Sequence, residues 1–115
     1  MHELSIAVSM VERILEESES RGGLQVEAVH LKLGVLSGVD KDALAFSYEI
    51  ACEGTFLVGS RLVIETVPLL IYCDICKMER APESIQQMDC PQCHSPSQKI
   101  IRGRELEVAA LEIAA

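Results

Sequence analysis

Tryptophan is absent from the 115 residues, and Phe and Tyr number two each. Platforms on which bases could stack are therefore scarce. Cations are in short supply as well: 10 Lys and Arg stand against 18 Asp and Glu, for a net charge of −8. Binding along a phosphate backbone depends on Lys and Arg replacing counterions, so this field repels a polyanion. Nucleic acid is excluded on both counts, and a cationic ligand such as a metal ion suits the balance better. No apolar run nears the ~20 residues of a membrane span. The longest, Val67 to Tyr72, is strand-sized, so no membrane insertion is expected. The start Met1-His2-Glu3-Leu4 carries no basic segment of the kind that opens a secretory signal, and the expected location is the cytoplasm.

What is present is a globular pattern. With 49% hydrophobic residues and little low-complexity sequence, the chain is not disordered. Its length fits one domain, or one domain carrying a small insert. From Leu4 to Ser20, residues Leu4, Ala7, Val8, Val11, Ile14 and Leu15 recur at helical spacing, and Gly22-Gly23 stops the helix. Val26 to Val35 switches to a two-fold pattern, with Val29, Leu31, Leu33 and Val35 facing one way and His30 and Lys32 the other. Asp40 opens a second helix that runs to about Cys52, with Leu44, Tyr48 and Ala51 on one stripe. Arg61 to Val67 alternates as a strand, and a last strand follows Gly103, its parity slipping near Ala109-Ala110 as at a bulge. The order predicts an α+β domain, with two helices on one face of a three-stranded sheet. A cysteine-rich lobe is inserted before the last strand. The domain takes 1–70 and 101–115, the lobe 71–100.

Four of the five cysteines stand in that lobe as Cys73-Asp74-Ile75-Cys76 and Cys90-Pro91-Gln92-Cys93. Each Cys-x-x-Cys turn presents two thiolates, and two such turns complete a tetrahedron of soft ligands around one ion. The insert is too short to bury a core, so a metal must supply most of its folding free energy, on the order of 10–16 kcal/mol in peptide systems. Zinc is the default ion, although the same spacing suits a rubredoxin-type iron centre. Disulfides are the other use of these residues, disfavoured in a reducing compartment. Four thiolates leave no open position for water or substrate, so the centre is structural and no catalytic residue is assigned. His94 is either a further donor or a solvated turn residue, and Cys52 is expected as a buried free thiol.

The opening Met1-His2-Glu3 has chemistry of its own. A free Met1 amine, the backbone nitrogen of His2 and its imidazole can close two fused chelate rings on one cation. These donors lie roughly in a plane, which suits Ni(II) or Cu(II) better than zinc. Glu3 adds another backbone nitrogen and a carboxylate. Each residue also has an ordinary role: Glu3 favours the helix dipole, and Asp40 caps the second helix.

Taken together, several segments resemble one family. Met1-His2-Glu3-Leu4-Ser5 is followed by Leu33-Gly34-Val35-Leu36-Ser37-Gly38-Val39-Asp40, Ala43-Leu44-Ala45-Phe46 and Glu53-Gly54-Thr55, then by the two knuckles and Gly103-Arg104-Glu105-Leu106. In this order, end to end, they resemble the HypA/HybF hydrogenase nickel-incorporation accessory proteins. The resemblance implies a nickel metallochaperone rather than an enzyme. It would deliver Ni(II) to the large subunit of nickel–iron hydrogenase, acting with the nickel-handling GTPase HypB, and some members also serve urease maturation. It implies His2 as the principal nickel ligand, with Met1, Glu3 and Asp40 in support, and Cys73, Cys76, Cys90 and Cys93 as ligands of structural zinc. Lys77 and His94 depart from the family pattern, in which many members carry a Gly after each knuckle to ease a positive-φ turn. The competing readings are a zinc-ribbon interaction module with no nickel role, and a thiol oxidoreductase.

Overall fold

The computed structural model describes residues 2–114. Its elements run α1 (Glu3–Ser20), β1 (Val26–Gly34), α2 (Lys41–Cys52), β2 (Arg61–Val67), β3 (Leu70–Cys73), β4 (Met78–Arg80), β5 (Ile100–Arg102) and β6 (Leu106–Ile113). They form one sheet in the order β2-β1-β6 and a second in the order β4-β3-β5. This is the expected α+β architecture, with one addition. The cysteine segment carries a small sheet that sequence periodicity did not announce. Two of its strands are three residues long, too short to show a two-fold pattern.

The chain divides into two compact units. The first comprises Met1–Leu31, Val39–Glu65 and Glu107–Ala115, and the second Lys32–Gly38 and Thr66–Leu106. In the first, α1 packs on α2. The stripe that α1 buries is Ala7, Met10, Val11 and Ile14. That is an i, i+3, i+4, i+7 set, as one face of a helix requires. Leu4 and Val8, expected on this face, are 48% and 39% exposed, while Met10 takes the buried place instead. From α2 come Leu44, Tyr48 and Cys52, and from β1 Val26, Val29 and Leu31, closing the core with Leu57. The Tyr48 hydroxyl meets the Ser60 hydroxyl at 2.6 Å, so its polar end is satisfied inside the core. Cys52 is buried there as a free thiol, its pKa raised by desolvation. Phe46, on the other side of α2, is 65% exposed.

The helix ends have visible causes. α1 stops at Gly22 and Gly23, whose φ values of 82° and 89° end the helical ladder, and the Gly23 amide donates back to the Ser18 carbonyl at 2.8 Å. α2 begins at Asp40, whose carboxylate accepts from the Ala43 amide at 2.8 Å. Strand β1 ends at Gly34, and Val35, expected within it, is exposed beyond its end. Strand β6 runs from Leu106 to Ile113 at a sheet edge and is largely exposed.

The second unit buries Leu33, Val67, Leu69, Ile71, Cys73 and Cys90. Antiparallel pairing sets Ile71 opposite Arg80, Tyr72 opposite Glu79 and Cys73 opposite Met78. The Gly34 amide donates to the Glu105 carbonyl and the Leu36 amide to the Gly103 carbonyl, both at 2.7 Å.

Candidate metal centres

The four cysteines of the two knuckles converge. Among the described residues, Cys73, Cys76, Cys90 and Cys93 are the group of three or more donors placed to share an ion, with all sulfur atoms within 4.8 Å of one another. Cys73 Sγ lies 3.5 Å from Cys93 Sγ, and Cys76 Sγ 3.9 Å from Cys90 Sγ. A tetrahedron of Zn–S bonds near 2.3 Å would separate its sulfurs by roughly 3.8 Å. The donor set and its spacing therefore fit a tetrahedral thiophilic ion. None of the five cysteines is in a disulfide.

Local backbone geometry builds the site. The Cys76 amide donates to Cys73 Sγ at 3.4 Å, the turn hydrogen bond of a Cys-x-x-Cys knuckle. In the second knuckle the His94 amide donates to the Cys90 carbonyl at 2.8 Å, and the Cys90 amide to the Ser95 carbonyl at 2.9 Å. After the knuckles, Lys77 (φ 56°) and His94 (φ 62°) occupy the left-handed region. The turn takes the positive-φ form a Gly would ease, and here it is held by side-chain-bearing residues.

The thiols are electrostatically unequal. The Ser95 hydroxyl, followed by its amide, draws the Cys93 thiol down to about 6. The Cys93 amide, helped by that of Gln92, lowers Cys90. At Cys76 the Arg80 guanidinium exerts the largest single pull downward. Desolvation and the three neighbouring sulfurs together outweigh it, and this thiol is pushed up to about 11. Four thiolates crowded this closely repel one another, and a divalent cation reverses the balance. Arg80 is a site residue that no periodicity in the sequence marks; only the pairing of β4 with β3 brings it to the cysteines.

The proposed nickel ligands lie elsewhere. Met1 falls outside the described residues. His2 is exposed at the N-terminus of α1, where its carbonyl accepts from the Ile6 amide at 3.1 Å and its side chain makes no capping hydrogen bond. Glu3 Oε2 accepts from the Asp40 amide at 3.1 Å. That amide, followed by Glu3's own, holds the Glu3 carboxyl below its ordinary value. Glu3 and Asp40 are thus brought together, and the Asp40 carboxylate is engaged in capping α2. Among the described residues, His2, Glu3 and Asp40 do not form a three-side-chain metal cluster. His94 stands beside Cys93 in sequence but is not one of the converging donors.

Comparison with known proteins agrees with this arrangement. The family model described as "Hydrogenase/urease nickel incorporation, metallochaperone, hypA" matches residues 1–113. A hydrogenase maturation factor HypA of Roseiflexus sp. (strain RS-1) is 50% identical over 113 residues, covering 97% of this chain and 91% of that protein. One from Chloroflexus aurantiacus is 45% identical, covering 97% and 98%. A solution structure of a HypA protein superposes with a TM-score of 0.74 at 25% identity, over 100% of this chain and 98% of the other. The fold is also that of the Ni metallochaperone HypA from Helicobacter pylori, with a TM-score of 0.67 at 24% identity over 100% and 99% of the two chains. The chain belongs to the HypA family of hydrogenase and urease nickel-incorporation metallochaperones.

Proposed function

We propose that this protein carries Ni(II) at its N-terminus, as cargo, for insertion into nickel–iron hydrogenase. The principal ligand is His2, joined by the Met1 amine and the backbone nitrogens of His2 and Glu3. The observation that supports this most directly is the free presentation of His2 beside an anchored Glu3. The imidazole is exposed and spends nothing on capping, while the Glu3 carboxylate is tied to the Asp40 amide at 3.1 Å. A terminus fixed at its third residue costs less entropy to order around an ion than a frayed one. The Glu3 and Asp40 carboxylates serve as orienting groups or secondary ligands.

Selectivity rests on geometry and supply. A flat ring of nitrogens suits Ni(II) and Cu(II), and raw affinity favours copper, so availability and handover must complete the choice. Release follows protonation: the amine, the imidazole and any deprotonated amide lose metal as pH falls. The receiving partners are the GTPase HypB and the hydrogenase large subunit, with urease maturation proteins as a further destination. All of this is cytoplasmic and requires no catalysis by this chain. Residues 1–70 and 101–115 form the nickel-binding domain, and 71–100 the zinc-binding lobe.

The four cysteines hold Zn(II). The ion supplies cross-linking of the two knuckles and folding free energy, with no vacant position for chemistry.

Calorimetry of Ni(II) binding to zinc-loaded protein with its native start, beside His2→Ala, tests the cargo site. The variant is expected to lose most of its nickel affinity; unchanged affinity and stoichiometry would defeat the assignment. Residues added ahead of Met1 remove the free amine and should have the same effect. X-ray absorption at the nickel edge would report the ligand set and geometry.

A further inference from the structure

We propose that the solvent side of α2 and the turn after it dock a helix of a partner protein, one whose apolar stripe is flanked by Lys and Arg. The inference stands apart from the cargo reading, since neither nickel nor zinc enters it. Its starting point is where the chain places phenylalanine. There are two, and both are on the surface: Phe46 is 65% exposed and Phe56 94%. Phe is among the residues most often buried, and aromatic side chains gathered with other apolar ones on a surface mark a contact site. Leu44, Ser47, Tyr48 and Cys52 take the buried side of α2. Phe46 and Ile50, one turn apart, therefore lie on the opposite side, beside the exposed Glu49 and the C-cap residue Glu53.

The turn after α2 is fixed in place. The Thr55 hydroxyl donates to the Cys52 carbonyl at 2.7 Å and accepts from the Leu57 amide at 3.1 Å. The Ser60 hydroxyl donates to the Leu57 carbonyl at 2.6 Å. Leu57 is sunk in the core, while Phe56 and Val58 on either side of it are exposed. A segment ordered before binding loses less entropy on contact.

Charge decides what covers this surface. The first unit carries four Lys and Arg against thirteen Asp and Glu, a net −9, whereas the second carries six against five. Glu49 and Glu53 join no ion pair among the described residues. A second copy meeting the same patch across a two-fold axis would set these carboxylates against their equivalents. An anionic lipid surface would be repelled by the field of the whole unit. A stripe of apolar residues with Lys and Arg beside it satisfies both the phenylalanines and the carboxylates. A helix is the matching form, because side chains at i, i+4 spacing make a ridge that seats in the groove of another helix.

The test uses the full-length protein and two synthetic amphipathic helical peptides, one built of Leu and Lys and the other of Leu and Glu. The Leu/Lys peptide should shift the amide resonances of Phe46, Ile50, Phe56 and Val58. Phe46→Ala combined with Phe56→Ser leaves the net charge unchanged and should weaken its binding by at least about tenfold. Glu49→Lys combined with Glu53→Lys should reverse the preference, so that the Leu/Glu peptide binds the tighter. If either double variant fails to fold, the other decides. Equal peptide binding by wild type and the phenylalanine variant overturns the proposal, as do shifts confined to the acidic side of α1, because charge alone then holds the peptide. An unreversed preference in the lysine variant overturns it too. Self-association in sedimentation that the phenylalanine variant abolishes would overturn it in favour of a second copy. Adsorption to phosphatidylcholine vesicles lost in that variant would do so in favour of a lipid surface.

Discussion

The carboxylate of Glu3 accepts a hydrogen bond from the backbone amide of Asp40, joining the first turn of α1 to the N-cap of α2. The bond is charge-assisted, and the amide of Asp40 is the main cause of the lowered Glu3 pKa. The folded value lies below the ordinary 4.5, so the contact is fully present above that pH and lost as pH falls through the lower folded value. A pH titration of the Asp40 amide resonance checks this. Its shift should follow one ionisation with a midpoint below 4.5, and Glu3→Gln should flatten the curve. A midpoint at or above 4.5 would mean the contact is absent in solution.

Asp40 has a structural duty that can be separated from any metal duty. Its Oδ1 caps α2 through the Ala43 amide at 2.8 Å. Asp40→Ala should lower stability by about 0.5–2 kcal/mol in urea unfolding, while Asp40→Ser keeps a capping oxygen and most of that stability. The serine variant has no carboxylate. If it folds like wild type and binds Ni(II) as tightly, Asp40 is a cap and nothing more; weaker binding at equal stability identifies a ligand or orienting group.

The helices and the strands of the main sheet were legible because their period is carried over seven or more residues. The rotation of the buried stripe on α1 was not. Leu4 and Val8 fit the apolar pattern as well as Met10 does, and only packing against α2 decides among them. The convergence of the four knuckle cysteines was fully visible, since Cys-x-x-Cys spacing is dictated by the turn each pair must make. Arg80 was invisible for the opposite reason. Its place depends on the register of a three-residue strand with β3, a long-range relation that leaves no local mark. Asp40 was legible as a cap but its amide bond to Glu3 was not, because 37 residues separate the two.

Gly34 permits an approach that no other residue could make. A Cβ built there would overlap the carbonyl of Gly103, a backbone group with no room to yield. Gly34 is not in the positive-φ region, so the requirement is steric. Gly34→Ala should cost about 1–3 kcal/mol or more, as overpacking does, and should disturb the Gly34 amide bond to Glu105. Gly54→Ala is the contrast, with φ of 75° but nothing within 4 Å of the added methyl. Its cost should be the backbone term alone, about 1–2 kcal/mol. Chemical denaturation of both variants in the zinc-loaded state reads the difference.

Lys77 and His94 hold left-handed backbone at φ 56° and 62° directly after the two knuckles. For a residue with a Cβ this conformation costs about 1–2 kcal/mol, part of which is recovered in the unfolded chain because Gly is freer there. Replacing either with Gly should therefore stabilise the zinc-loaded protein by a net of about 0.5 kcal/mol or more. Thermal unfolding of Lys77→Gly and His94→Gly checks the sign. Destabilisation at both sites would mean that these turns take a different form in solution.

Removing the metal should expose the cysteine segment selectively. The second unit buries Leu33, Val67, Leu69 and Ile71 as its apolar core, and its other two buried hydrophobic positions are the knuckle cysteines Cys73 and Cys90. So small a core cannot offset the ordering of the knuckles, so an ion bound by the four cysteines is expected to carry much of the folding free energy. The first unit has its own core in Ala7, Val11, Ile14, Val29, Leu44 and Tyr48, none of them near a knuckle cysteine in sequence. Hydrogen exchange before and after chelation distinguishes the two. Amides of β3, β4 and the turns at 90–95 should lose protection, whereas those of α1 and α2 keep theirs. The same segment, in Cys73→Ala, should become open to protease over 71–100. Retained protection in β3 and β4 without zinc would show that the small sheet stands on apolar packing, and that the thiolates do not determine the fold of the lobe.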